Sequence, residues 1–176
     1  MTVVIVTFLC LSLGAFIILT IKKQSSKNRE YAVTEQFNVP TENLWAIITN
    51  YENQPKWRSD LIKVEKVLNK KGNEIWKETD IKNQQIEWES FIEIRSRKLV
   101  RKTVSENIAV NSMHIYEVKP YGEVSLLTLI EITQIDNVFL RWIKYMFMRQ
   151  TSELSQYAED LRVKINSDAA NRTSNI

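Results

Sequence analysis

The segment from Val138 to Ile165 constrains the fold more than any other stretch of the chain. Its apolar residues Phe139, Trp142, Ile143, Met146, Phe147, Leu154, Tyr157, Ala158, Leu161 and Ile165 recur at spacings of three and four, the stripe of a helix packed along one side. Arg149, Glu153, Glu159, Asp160, Arg162 and Lys164 fill much of the remainder, and neither Gly nor Pro interrupts the run. Asp136 or Asn137 can cap its first turn. At the α-helical rise the segment is about 42 Å long. That exceeds what a small core needs from one helix, so a broad surface, such as a curved sheet, is expected to lie along it.

A second constraint sits at the other end. Residues 2–21 carry no charged side chain and are dominated by Val, Ile, Leu and Phe, and about 20 such residues span a bilayer core of roughly 30 Å. A cleaved signal peptide would need a basic start, a shorter apolar core and a pair of small residues at the cut; here Lys22, Lys23 and Gln24 follow Ile21. The run therefore reads as a transmembrane anchor. The formal charge of +3 is largely local: without Lys22, Lys23, Lys27 and Arg29 the remaining 20 basic residues face 21 acidic ones. This near balance argues against a nucleic-acid partner, which requires a basic face on the folded domain. With cations only on the C-terminal flank of the anchor, the positive-inside rule puts the rest of the chain in the cytoplasm. Residues 22–30 read as a basic polar tether able to touch anionic head groups, and Cys10, the only cysteine, excludes an internal disulfide.

Between tether and helix the pattern changes to period two. Tyr31, Val33, Phe37 and Val39 alternate with polar neighbours as a first strand, which Pro40 ends. Thr41 offers an N-cap and Glu42 suits the first turn of a helix to about Asn50, buried through Leu44, Trp45, Ile47 and Ile48. A short helical or irregular piece at Pro55, Lys56 and Trp57 precedes a strand beginning near Ile62, and the run Asn69 to Asn73 is a hairpin signal. Further strands are expected over 74–81, 85–95, 98–106, 111–119 and 123–135. In the 85–95 segment Ile86, Trp88, Ser90, Ile92 and Ile94 should face inward and Glu87, Glu89, Phe91, Glu93 and Arg95 outward. Links this short imply antiparallel neighbours, giving an α+β domain over 31–166 with residues 167–176 as a disordered tail.

The run from Phe37 to Trp57, with Val39, Pro40, Trp45, Pro55 and Trp57, followed by Val64 and Glu65, resembles the opening of polyketide cyclase/dehydrase and lipid-transport proteins of the SRPBCC superfamily, which includes START and birch-pollen-allergen-like proteins. The resemblance covers about residues 31–165. It implies a helix-grip fold, in which a seven-stranded antiparallel sheet wraps the long C-terminal helix and leaves an apolar cavity. Members bind lipids, sterols, polyketides or other hydrophobic molecules, and only some are enzymes. Walls of that implied cavity would come from Trp76, Trp88, Ile92, His114, Tyr116, Leu126 and Ile130 on the strands and Trp142, Met146 and Gln150 on the helix.

Catalytic patterns are sparse. His114 is the sole histidine and the chain has three glycines, so a multi-histidine metal site and a Gly-rich phosphate loop are both excluded. Neither a metal nor a cofactor is expected. Glu131, in the apolar stretch Leu126 to Ile132, needs a partner if it is buried, for which Arg101 is one candidate. The leading expectation is a membrane-tethered domain that binds a hydrophobic small molecule or lipid without transforming it. Its alternatives are a cyclase-like or aromatase-like enzyme using His114, Tyr116 or Glu131, and a protein-interaction module with a vestigial pocket.

Overall fold

The structure is a computed structural model, and it describes residues 28–68, 74–104, 110–135 and 151–173. The expectations placed on the anchor, most of the tether, the Asn69 to Asn73 turn, the helix start and Trp142, Met146 and Gln150 lie outside the described residues. Among the described residues no helix is long and apolar enough to cross a membrane.

Seven strands form one sheet: β1 (Asn28–Phe37), β2 (Leu61–Leu68), β3 (Glu74–Asp80), β4 (Gln85–Ile94), β5 (Lys98–Thr103), β6 (Val110–Tyr121) and β7 (Val124–Ile135). All neighbours are antiparallel, in the order β1-β7-β6-β5-β4-β3-β2. Consecutive strands from β2 to β7 are thus hairpin neighbours. The chain passes from one sheet edge, β1, to the other, β2, through helix α1 (Thr41–Thr49) and a 3₁₀ turn (Tyr51–Lys56). The C-terminal helix α2 (Thr151–Thr173) lies against β1 and β7, while α1 lies against β6 and β7.

β7 shows most plainly how sequence becomes layer. Ser125, Leu127, Leu129, Glu131, Thr133 and Ile135 are buried, and the residues between them are only partly so, as period-two side chains require. Its inner leucines join Phe37, Leu44, Trp45, Ile48, Leu99 and Val118 from the sheet and α1, and Leu154, Ala158, Leu161 and Ile165 from α2. Leu44, Leu99, Leu127 and Leu161 are completely buried, each contributing about 1.5–3 kcal/mol by leaving water. Polar ties fix how α2 sits. The Asp160 carboxylate accepts from the Ser59 backbone N–H at 2.7 Å and its hydroxyl at 2.8 Å, and Arg162 pairs with Glu35 at 2.6 Å.

Four expectations change. First, β1 begins at Asn28, so the last residues of the expected tether are strand, paired with β7 from Gln134 onward. Second, α2 continues past Ile165 to Thr173; Ala169 and Ala170 favour helix and Lys164 bridges Asp168 at 2.6 Å one turn on, where a disordered tail was expected. Third, Pro40 and not Thr41 is the N-cap, and no side chain caps α1; the Pro40 carbonyl accepts from Asn43 and Leu44, both at 3.1 Å. Fourth, β4 carries an irregularity between Ser90 and Ile92 against β5. An inserted residue reverses every later side chain. Ile92 therefore pairs with Val100 and falls in the outer row with Ile115 and Ile130, leaving it 39% exposed and Ile94 48% exposed.

Candidate ligand-binding site

Facing the helices, the middle of the sheet carries one cross-strand row: Ser90 on β4, Arg101 on β5, His114 on β6 and Glu131 on β7. A row of polar groups on an inner face needs partners, and most are supplied from neighbouring elements. Arg101, 1% exposed, donates Nη1 to Oε1 of Glu78 on β3 at 2.7 Å. The other Glu78 oxygen meets Nη1 of Arg58 at 3.4 Å, and Arg58 also holds Asp60 at 2.6 Å and donates to Oε1 of Gln54 at 2.9 Å. Gln54 in turn donates to the Ile48 carbonyl at the end of α1, at 2.9 Å. The ion network is thereby locked to the helical connection that closes one side of the grip.

Aromatic rings enclose these charges. The Arg101 guanidinium lies 4.5 Å from the Tyr51 ring centre and 5.3 Å from that of Trp88. Trp88 packs on His114 at 4.4 Å, His114 lies 6.5 Å from Tyr116, and Tyr116 meets Tyr157 of α2 edge-on at 5.7 Å. Arg58 sits 5.3 Å from the Tyr157 ring. Against this wall lies a partly open cavity of about 60 Å³, lined by Arg58, Asp60, His114, Tyr116, Leu129, Leu154 and Tyr157, with Ile130 at its border. Its free volume is that of about two waters in the liquid, the size of a ligand's polar end.

The electrostatics follow from burial and pairing. Burial pushes the Glu78 carboxyl up, but Arg101 and Arg58 overcome it and hold it below the ordinary carboxylate range. Burial likewise opposes the charge on Arg101 and Arg58, and it is more than restored by Glu78 acting with Asp60 at Arg58 and with the Tyr116 and Tyr51 phenols at Arg101. Desolvation lowers His114 to about 4, with Glu131 opposing and Arg101 reinforcing the shift, so the ring is neutral at pH 7. Burial raises the Tyr116 and Tyr157 phenols, which stay protonated. The site therefore offers a neutral imidazole and two neutral phenols beside an ion cluster balanced within itself.

Of the residues expected to line the cavity, Trp88, His114 and Tyr116 are brought together. Trp76 is buried beneath the 3₁₀ turn, 4.9 Å from the Tyr51 ring, with its indole N–H donated to Glu74 at 2.9 Å. Ile92 is turned away by the β4 irregularity. Leu126 belongs to the outer set of β7, and Leu127 and Leu129 take the inner positions; Ile130 shares the parity of Leu126 yet is among the residues lining the cavity, as expected. Glu131 is buried where an exposed pair with Arg101 was expected; its Oε1 accepts from Thr133 at 2.8 Å, and Arg101 pairs with Glu78. Arg58, Glu78, Tyr51 and Tyr157 went unrecognised. Arg101, named in the sequence as a candidate partner of Glu131, could have been put on the inner face by parity, since it shares its strand face with Leu99.

No protein-family model and no curated protein sequence matches the chain. Solved structures do. A START superfamily protein from Mycobacterium smegmatis superposes with a TM-score of 0.62 at 11% identity, over 78% of this chain and 97% of that one. Norcoclaurine synthase from Thalictrum flavum, in complex with dopamine and hydroxybenzaldehyde, gives 0.62 at 11% identity, over 84% and 91%. The di-domain ARO/CYC StfQ from the steffimycin biosynthetic pathway gives 0.65 at 8% identity, over 81% of this chain and 52% of that one. These likenesses and the strand order establish the helix-grip α+β fold of START-like SRPBCC proteins, the fold that the sequence resemblance implied.

Proposed function

We propose that this chain is a membrane-tethered helix-grip domain that binds a hydrophobic small molecule or lipid between its sheet and its C-terminal helix. The observation that carries the reading is the convergence of His114, Tyr116 and Tyr157 on one cavity, against a wall built from buried Arg101 and Glu78. Mixed walls of this kind, apolar with a few placed polar groups, suit small-molecule recognition. Residues 2–21 are the membrane anchor in this reading, and Lys22, Lys23, Lys27 and Arg29 keep the domain on the cytoplasmic side. Native mass spectrometry of the intact, detergent-purified protein, with organic extraction of the same sample, tests the binding. A bound species below lipid mass or at it is expected. Absence of any adduct, together with no uptake of added lipids or aromatic molecules, would overturn it. A fusion to a reporter active only in the cytoplasm, placed after Ile176, tests the orientation.

A second reading, acid–base chemistry on the bound molecule, is favoured by one feature: His114 borders the cavity, is uncharged at pH 7 and faces Glu131 across the β6–β7 pair. A neutral imidazole within reach of a substrate proton can act as a base, a weak one at a value near 4. Under this reading His114→Asn abolishes turnover while leaving binding measurable. Under the binding reading it changes affinity alone.

A further inference from the structure

Three side chains of the inner wall carry buried donors with no acceptor among the described residues: Arg101 through Nε and Nη2, Trp88 through Nε1 and Tyr157 through its hydroxyl. Arg101 has already committed Nη1 to Glu78, and its faces are taken up by Tyr51 and Trp88. What remains is the in-plane Nε and Nη2 edge, which recognises oxygen. Native proteins rarely leave buried donors unmet. Aromatic contacts link Trp88 through His114 and Tyr116 to Tyr157 in steps of 4.4, 6.5 and 5.7 Å; of the three side chains Tyr157 lines the cavity, and Arg101 and Trp88 lie behind it in the same wall.

Charge decides what kind of oxygen they are built for. The two guanidiniums, Arg58 and Arg101, are matched by Asp60 and Glu78, and Glu131, 7% exposed, adds a further carboxyl across from His114. Among the described residues both guanidiniums are already paired, so an incoming carboxylate or phosphate would be a buried negative charge with none of these cations left to meet it. We infer that the site takes its ligand by a neutral acceptor oxygen, a ketone, ester or amide carbonyl, received by the unpaired donors of Arg101, Trp88 and Tyr157. This inference rests on the reading of the cavity as a ligand site, and it names the chemical class that the site selects.

Three probes sharing one ring separate the two: ethylbenzene, acetophenone and benzoate, measured by equilibrium dialysis against the intact protein in detergent, with a detergent-only chamber subtracted. Acetophenone should bind about tenfold tighter than ethylbenzene, as one or two well-placed hydrogen bonds allow, and tighter than benzoate. Tyr157→Phe and Trp88→Phe each delete a donor and keep a ring, so either should shrink the acetophenone-to-ethylbenzene ratio several-fold. Thermal unfolding of each variant confirms that it is folded, and one folded variant suffices. Benzoate as the tightest probe, equal binding of acetophenone and ethylbenzene, or a ratio unmoved in a folded variant would overturn the inference while the binding reading stands. In the second case water satisfies the donors. If none of the three probes binds, the cavity reading falls and the inference falls with it.

Discussion

Removing one partner of the buried pair between Glu78 and Arg101 tests the polar floor of the site. In Arg101→Met the Glu78 carboxylate, whose side chain is 9% exposed, keeps only Arg58 at 3.4 Å in place of a 2.7 Å contact. Orphaning a buried charge costs about 3–5 kcal/mol. Lost stacking on Tyr51 and Trp88 adds about 1 kcal/mol, and removal of the unmet Nε and Nη2 donors returns about 1–3 kcal/mol. A net loss of about 3 kcal/mol is expected, a fall of roughly 6–12 °C in Tm for a domain of this size. Glu78→Leu added to Arg101→Met removes both charges, and Arg58 retains Asp60; the double variant should recover at least about 2 kcal/mol of that loss. Near-ultraviolet circular dichroism melts in one mild detergent give all the values. A single variant costing under about 1 kcal/mol, or a double variant as unstable as the two single losses combined, would refute the view of this pair as one buried, mutually compensating unit.

Stability should also depend on pH through His114. Its folded value of about 4 lies below the ordinary 6.5, so an unfolded chain takes up the proton first: the contribution is complete above pH 6.5, declines from there to pH 4 and is flat below. The gap is worth about 3 kcal/mol at most, and about 2 kcal/mol allowing for the ring's partial exposure. His114→Gln should remove the slope in that window, whereas stability due to the depressed Glu78 is present above pH 4.5 and disappears at lower pH. Ile92→Glu should change stability by under about 0.5 kcal/mol, while Leu129→Ala costs about 2–5 kcal/mol; equal losses in urea titrations would contradict the facing assigned to β4 and β7. Gly122 has φ +62° in the β6–β7 turn with open space where a Cβ would go, so Gly122→Ala should cost about 1 kcal/mol from backbone strain alone, visible as a small drop in Tm.

The strands were legible because alternation and turn residues fall together: expected and observed limits of β4, β6 and β7 differ by two residues at most. What alternation could not decide was which face is inside. In β7 the set Leu127, Leu129, Ile135 and the set Leu126, Ile130, Ile132 are equally apolar, and Glu131 and Thr133 on the buried set point the wrong way unless their hydrogen bond is known. The β4 irregularity is invisible to periodicity, since the residues on both sides of it alternate correctly. The site was half legible. His114 and Tyr116 stand two apart on one strand and announce a shared face, but Glu78 lies on β3, Arg101 on β5 and Arg58 in the link before β2, and only the folded sheet brings them together.

His114 is the sole histidine, so its ring Cε1–H gives one unambiguous NMR signal at the edge of the cavity. The intact protein is stripped by organic extraction, then titrated in detergent with its own extract, and this resonance is followed at pH 7. A saturable shift on add-back, reversed by a second stripping and absent with extract from mock-purified membranes, is the predicted result. An unmoved His114 signal while mass spectrometry shows the same molecule bound would place binding elsewhere and contradict the proposed site.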